Sequence, residues 1–219
     1  MEANIMSEKK IMSAEEYIHQ LKMMYRSQFD LKTDKEICDR SFDLYGFSHI
    51  KNKKYFASKE IKIWEYAQFE HCLVQKETSV SNNPSTERKI SSDDKGKISS
   101  STERKISSTD GNKILSPDDL LPDDNFLENT IDQLVEPNMN HKQSYITYIK
   151  VVENGIPDNL IKNIKRFSYS KSFALGFMGW CDIRLIIVDL ANNQVFANKK
   201  GEKVKHNYLP ERFIKARTS

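Results

Sequence analysis

Tyr17, Ile18, Leu21, Met24 and Tyr25 recur at helical spacing, behind a Ser13 and Glu16 pair suited to a capping box. They predict an amphipathic helix over about 14–27. Phe42-Asp43-Leu44-Tyr45-Gly46-Phe47 then predicts an aromatic-rich strand, and Lys51-Asn52-Lys53-Lys54 a polar turn. A second strand is expected over 55–66, and Ala67-Gln68-Phe69 should reverse the chain into a third over 71–76. Farther on, Pro122-Asp123-Asp124 opens a helix carrying Phe126, Leu127, Ile131, Leu134 and Val135, which Pro137 ends. A β-branched strand over 145–152 follows, then a turn at Asn154-Gly155 and a short helix from Pro157 with Leu160, Ile161, Ile164 and Phe167. Residues 172–178 alternate large and small, which predicts a strand with Phe173, Leu175 and Phe177 on one face. The run Ile183-Arg184-Leu185-Ile186-Ile187-Val188 is the most apolar in the chain and predicts a central strand covered on both faces. Val195-Phe196-Ala197 makes a last strand. The order of these elements predicts an α/β (α+β) fold: one mixed, largely antiparallel sheet with helices packed on it.

Between the two sets of elements the pattern disappears. Residues 85–100 read STERKISSDDKGKISS and residues 101–116 read STERKISSTDGNKILS, a tandem duplication whose first eight residues are identical. Two isoleucines per copy cannot offset the backbone entropy of ordering the segment, on the order of 1 kcal/mol per residue. The expectation is a domain in two halves, 1–77 and 118–219, with 78–117 a disordered linker inserted between them. Arg88, three residues before Ser91, gives the repeat a second reading as a phosphorylatable or docking segment.

Composition agrees with a partly unpacked chain of 219 residues: 38% hydrophobic, 30% charged, with a mean hydropathy of −0.66. The net charge of +3 names no partner. Cys38, Cys72 and Cys181 form no Cys-x-x-Cys, and an odd count makes a poor disulfide framework, so buried thiols in a reducing cytoplasm are expected. The amino terminus mixes Glu and Lys without an apolar core, and the apolar stretch over 173–190 is broken by Asp182, Arg184 and Asp189, so neither a signal peptide nor a membrane partner is expected.

Three constellations bear on chemistry. Asp43 on one predicted strand, with Glu60 and Lys62 on the next, matches the arrangement by which a restriction-endonuclease-like nuclease holds Mg²⁺ and stabilises the developing phosphate charge, Glu16 serving as an outer ligand. Asp182 and Arg184 should point to one side of their strand and Asp189 to the other, which prevents the two carboxylates from sharing a metal. Residues 199–217 hold Lys199, Lys200, Lys203, Lys205, Arg212, Lys215 and Arg217 against Glu202 and Glu211, with Tyr208 and Phe213 between them, and could lie along nucleic-acid phosphates as a basic tail. His19, His49, His71, His141 and His206 have no zinc-ligand spacing. Gly-rich phosphate loops and a Gly-x-Ser-x-Gly elbow are absent from the sequence.

Phe42-Asp43-Leu44-Tyr45, Lys54-Tyr55-Phe56 and Glu70-His71-Cys72, together with the block from Tyr169-Ser170-Lys171-Ser172-Phe173 through Gly176-Phe177-Met178-Gly179-Trp180-Cys181-Asp182-Ile183-Arg184-Leu185 to Val188-Asp189-Leu190 and Asn198-Lys199-Lys200-Gly201, resemble an uncharacterised prokaryotic protein family. The resemblance covers most of the chain outside 78–117. It implies a cytosolic single-domain protein and brings no mechanism. The functional expectation is therefore a small cytoplasmic α/β protein, without catalysis or cofactor, acting through surface interactions. A Mg²⁺-dependent nuclease on Asp43, Glu60 and Lys62 is the competing class, and a nucleic-acid binder using the basic tail is the third.

Overall fold

A computed structural model describes residues 12–56, 61–77 and 115–215. Helix α1 (Ala14–Tyr25) begins at the expected capping box, in which the Ser13 hydroxyl accepts from the Glu16 N–H and the Glu16 side chain accepts from the Ser13 N–H. Strands β1 (Asp30–Ile37), β2 (Arg40–Phe56) and β3 (Ile61–Lys76) form an antiparallel run. After a single helical turn α2 (Pro117–Leu120), helix α3 (Asp124–Leu134) starts at Asp123, whose carboxylate accepts from the Phe126 N–H at 2.8 Å. Strand β4 (His141–Val152), helix α4 (Asp158–Arg166), and strands β5 (Ser170–Ser172), β6 (Trp180–Asp189) and β7 (Gln194–Ala197) complete the sheet, and helix α5 (Pro210–Lys215) ends the described chain.

The seven strands make one mixed sheet in the order β1-β2-β3-β4-β6-β5, with β7 also paired to β6. β3, β4 and β6 run parallel, and the other pairs are antiparallel. Two crossovers carry helices to one face: α3 lies between β3 and β4, and α4 between β4 and β6. On that α3 face, Phe126, Leu127, Ile131, Leu160 and Ile164 pack on Ile146, Tyr148, Ile183, Leu185 and Ile187. On the opposite α1 face, Tyr17, Leu21, Tyr25, Tyr208 and Phe213 pack on Ile149, Val151, Ile186 and Val188. Strand β6 is therefore buried on both sides, as its apolar stretch Leu185-Ile186-Ile187-Val188 requires.

Four details differ from the sequence reading. Strand β1 reads DLKTDKEI, a mostly exposed edge strand whose charged residues give no apolar alternation to detect. The polar 51–54 stretch does not turn, and 67–69 do not reverse the chain. β2 and β3 pair from Leu44↔Val74 to Phe56↔Ile61, with one shift of register at Lys54/Tyr55, because the partner strand supplies the ladder that local propensity lacks. Residues 172–178 form no long strand. Ala174, Leu175 and Gly176 take left-handed φ of 47°, 55° and 93°, and the chain curls into a turn that leaves Leu175 95% and Phe177 80% exposed. Leu115, read above as linker, packs against the α3-face core, and Pro117 already opens α2. The tandem repeat up to residue 114 lies outside the described residues. Among the described residues, no helix is long and apolar enough to cross a membrane.

Candidate functional site

In an antiparallel pair, residues opposite one another project to the same side of the sheet. Tyr45, Phe47 and His49 on β2 alternate along the α3 face, and the register Phe47↔His71 and His49↔Phe69 brings β3's rings beside them. The result is a stacked aromatic cluster, in which His141 lies 5.8 Å from Phe69 on the β4 side. His49 lies on Phe69 with ring centroids 4.5 Å apart and planes 18° apart, Phe47 and Phe69 are 6.2 Å apart at 14°, and Phe47 and His71 are 5.0 Å apart. Helix α3 covers the sheet only as far as Leu134, so the cluster beyond it is bordered by a wall of Gln133, Leu134, Val135, Glu136 and Asn138. The space between wall and cluster is a cleft of about 370 Å³.

Two histidines underlie it. His71 is buried and shares a 3.0 Å hydrogen bond between Nδ1 and the Tyr45 hydroxyl. Burial lowers its pKa to about 4, so the ring is neutral at pH 7. His141 Nδ1 lies 2.7 Å from the Met178 carbonyl oxygen. A carbonyl only accepts, so Nδ1 carries the proton, and Nε2 accepts from the Ser144 hydroxyl at 2.9 Å. This resembles a nucleophile and base pair at the floor of the cleft, which Ser144 helps to line, but Ser144 is 0% exposed behind the surrounding side chains. The pair instead ties the start of β4 to the turn before β6.

The α1 face carries a separate polar network. Asp182 accepts from Ser170 Oγ at 2.8 Å, Lys200 Nζ at 2.9 Å and Gln143 Nε2 at 3.0 Å. Burial opposes its charge, but the hydrogen bonds from Lys200, Ser170 and Gln143 outweigh it and hold the carboxyl below its usual range. Arg184 donates to Glu70 at 2.7 Å and lies 3.5 Å from the centre of the Tyr145 ring. Asp182 and Arg184 share this face, while Asp189 on the other accepts from Ile156 N and Asn192 N, as the strand parity predicts.

Asp43 accepts from the Lys76 N–H at 2.8 Å and borders a groove with Glu15, His19 and Lys22. Lys62 pairs with Tyr55, twelve residues farther along β2, about 40 Å of extended strand at ~3.3 Å per residue. The ladder does not bring Asp43 and Lys62 together, and Glu60 lies outside the described residues. Among the described residues, no group of three or more His, Cys, Asp or Glu is placed to hold a metal ion. The basic segment is folded as far as residue 215. Tyr208 accepts from the Tyr17 hydroxyl through its carbonyl, and Phe213 meets Tyr17 edge-on at 5.2 Å. Of its cations, Lys200 bonds Asp182, Lys205 bonds Glu202, and Arg212 bonds His206 O and Asn207 Oδ1, while Lys199 and Lys203 face solvent. The sequence reading puts Phe47 and His71 in strands without assigning them a role and Phe69 in a turn, whereas all three belong to this cluster. Their signal was the odd-numbered run of rings at 45, 47, 49, 69 and 71.

No curated protein and no solved structure matches the chain. A family model matches it twice, over residues 13–105 and 87–210, and the two matches overlap within the tandem repeat. Together they span most of the sequence, and the chain belongs to the family described as Domain of unknown function (DUF8052).

Proposed function

We propose that the protein is a non-enzymatic binding protein that takes a small planar ligand in the cleft above Phe47 and Phe69. The cleft carries this reading: stacked rings of β2 and β3, Phe47 against Phe69 at 6.2 Å and 14°, line a space of about 370 Å³ with apolar surface of a size suited to a small aromatic molecule. Gln133 Nε2 at the wall supplies an amide donor that orients a ligand without reacting with it, while Asn138 bonds Glu136 O and Asn140 N–H and fixes the wall itself. The buried His141 and Ser144 pair and the separation of Asp43 from Lys62 both favour binding over catalysis. A nucleic-acid role for the 199–217 segment is less well supported, since Lys200, Lys205 and Arg212 are engaged within the fold.

The test is a titration of the full chain with indole, quinoline and adenine, followed through the ring resonances of the phenylalanines. Saturable shifts at Phe47 and Phe69 are expected, and Phe69→Ala should weaken binding about tenfold, the scale of one lost aromatic contact. Should none of the three heterocycles move those resonances, the reading fails.

A further inference from the structure

We infer that the molecule pairs with a second copy of itself, each copy seating Phe177 in the cleft of the other. The inference rests on the binding reading above only in taking the cleft to admit an aromatic ring, and it adds the partner. The turn before β6 is its first support. Ala174 and Leu175 hold left-handed φ of 47° and 55°, a conformation that costs a non-glycine residue about 1–3 kcal/mol. The turn so formed presents Leu175 and Phe177 to solvent, 95% and 80% exposed. Met139, 81% exposed, belongs to the adjoining turn, since His141 bonds the Met178 carbonyl and Gly179 abuts the Lys142 carbonyl. Residues 172–181 include no charged side chain, as in the apolar centre of a protein interface.

Adjacency is the second support. The His141 ring bonds Ser144 in the cleft lining and lies 5.8 Å from Phe69 and 5.6 Å from Phe173, so one ring separates the cleft from the projecting turn. A projection and a recess on one patch are what a two-fold contact requires, because each copy then supplies both halves. Area agrees with this. Leu175, Phe177 and Met139 expose on the order of 500 Å² per copy, a large apolar patch for a monomer. Covering it on both copies, together with the cleft walls, enters the range of about 1,200–2,000 Å² typical of stable interfaces. Charge argues against a membrane as the occupant: Glu128 and Asp132 hold Lys171 beside the turn and Glu136 lines the cleft, a rim that does not attract anionic lipid.

Sedimentation velocity of the full chain from about 1 to about 200 µM should show a reversible monomer–dimer equilibrium that stops at the dimer. Phe177→Ser should weaken it at least about a hundredfold, because the two-fold axis makes each substitution act twice. That side chain lies outside the core, so the variant should fold as the wild type does. Benzoylphenylalanine placed at position 177 should cross-link, on illumination, to residues 133–138 of the other copy. A chain that stays monomeric throughout, a dimer that Phe177→Ser leaves intact, or cross-links that land on residues 174–180 of the other copy would each overturn the inference. So would a monomeric chain that sediments with phosphatidylcholine–phosphatidylglycerol vesicles through Phe177, which makes lipid the occupant. Quinoline titration of Phe177→Ser tests the binding reading apart from the dimer. Shifts at Phe47 and Phe69 uphold that reading even if the wild type never pairs, and their absence sinks it while the dimer stands on its cross-links.

Discussion

His71 occupies a core position, 3% exposed, with its Nδ1 hydrogen-bonded to the Tyr45 hydroxyl. In the unfolded chain such a ring titrates near 6.5, and in the folded protein burial lowers this to about 4. Between those values the unfolded state binds more protons than the folded one. The contribution to stability is therefore complete above pH 6.5 and is lost as the pH falls through about 4. At pH 5 the loss from this one ring is about 2 kcal/mol. Urea unfolding of the wild type should show that decline between pH 7 and pH 5, and His71→Gln should flatten it. Equal slopes for the two proteins would contradict the buried neutral ring. The sequence showed a histidine between Glu70 and Cys72 and nothing of its burial, because burial depends on which strand faces which helix.

The turn between β5 and β6 illustrates the limits of periodicity. Alternation over 172–178 suggested a strand, yet Gly176 and Gly179 break it with φ of 93° and 76°. Gly179 also fits against the backbone at the start of β4. A Cβ there would overlap the Lys142 carbonyl and lie 2.8 Å from the His141 carbonyl oxygen. Gly179→Ala should therefore cost at least ~2 kcal/mol, combining a left-handed alanine with a backbone clash. Chemical denaturation measures this directly, and a cost below 0.5 kcal/mol, on the order of an ordinary surface change, would contradict the packing. Helices were more legible than strands for a physical reason. Ser13, Asp123 and Pro157 sit beside the helices they start, so the signal is local. β1 and the long β2–β3 ladder depend on cross-strand partners, which a window of neighbouring residues does not contain.

At the scale of the molecule, ten residue pairs between β3 and β4, from Ala67↔His141 to Lys76↔Val151, join sequence from before and after the tandem repeat. The same sheet has helices from the later sequence on the α3 face and both α1 and α5 on the other. Neither stretch has a complete core without the other. Chains covering 1–77 and 115–219, co-expressed as separate polypeptides, should therefore purify as one complex, and fragments that elute separately would contradict this. The sequence by itself determined the main helices, their capped starts, the buried character of β6 and the interruption by the repeat, because each follows from periodicity, capping chemistry or composition within a short span. The tertiary structure alone decided that Phe47, Phe69 and His71 share a cluster, that Asp43 is remote from Lys62 and that the basic segment folds onto α1. Strand register and parallel pairing set those distances, and both arise from contacts between residues far apart in the chain.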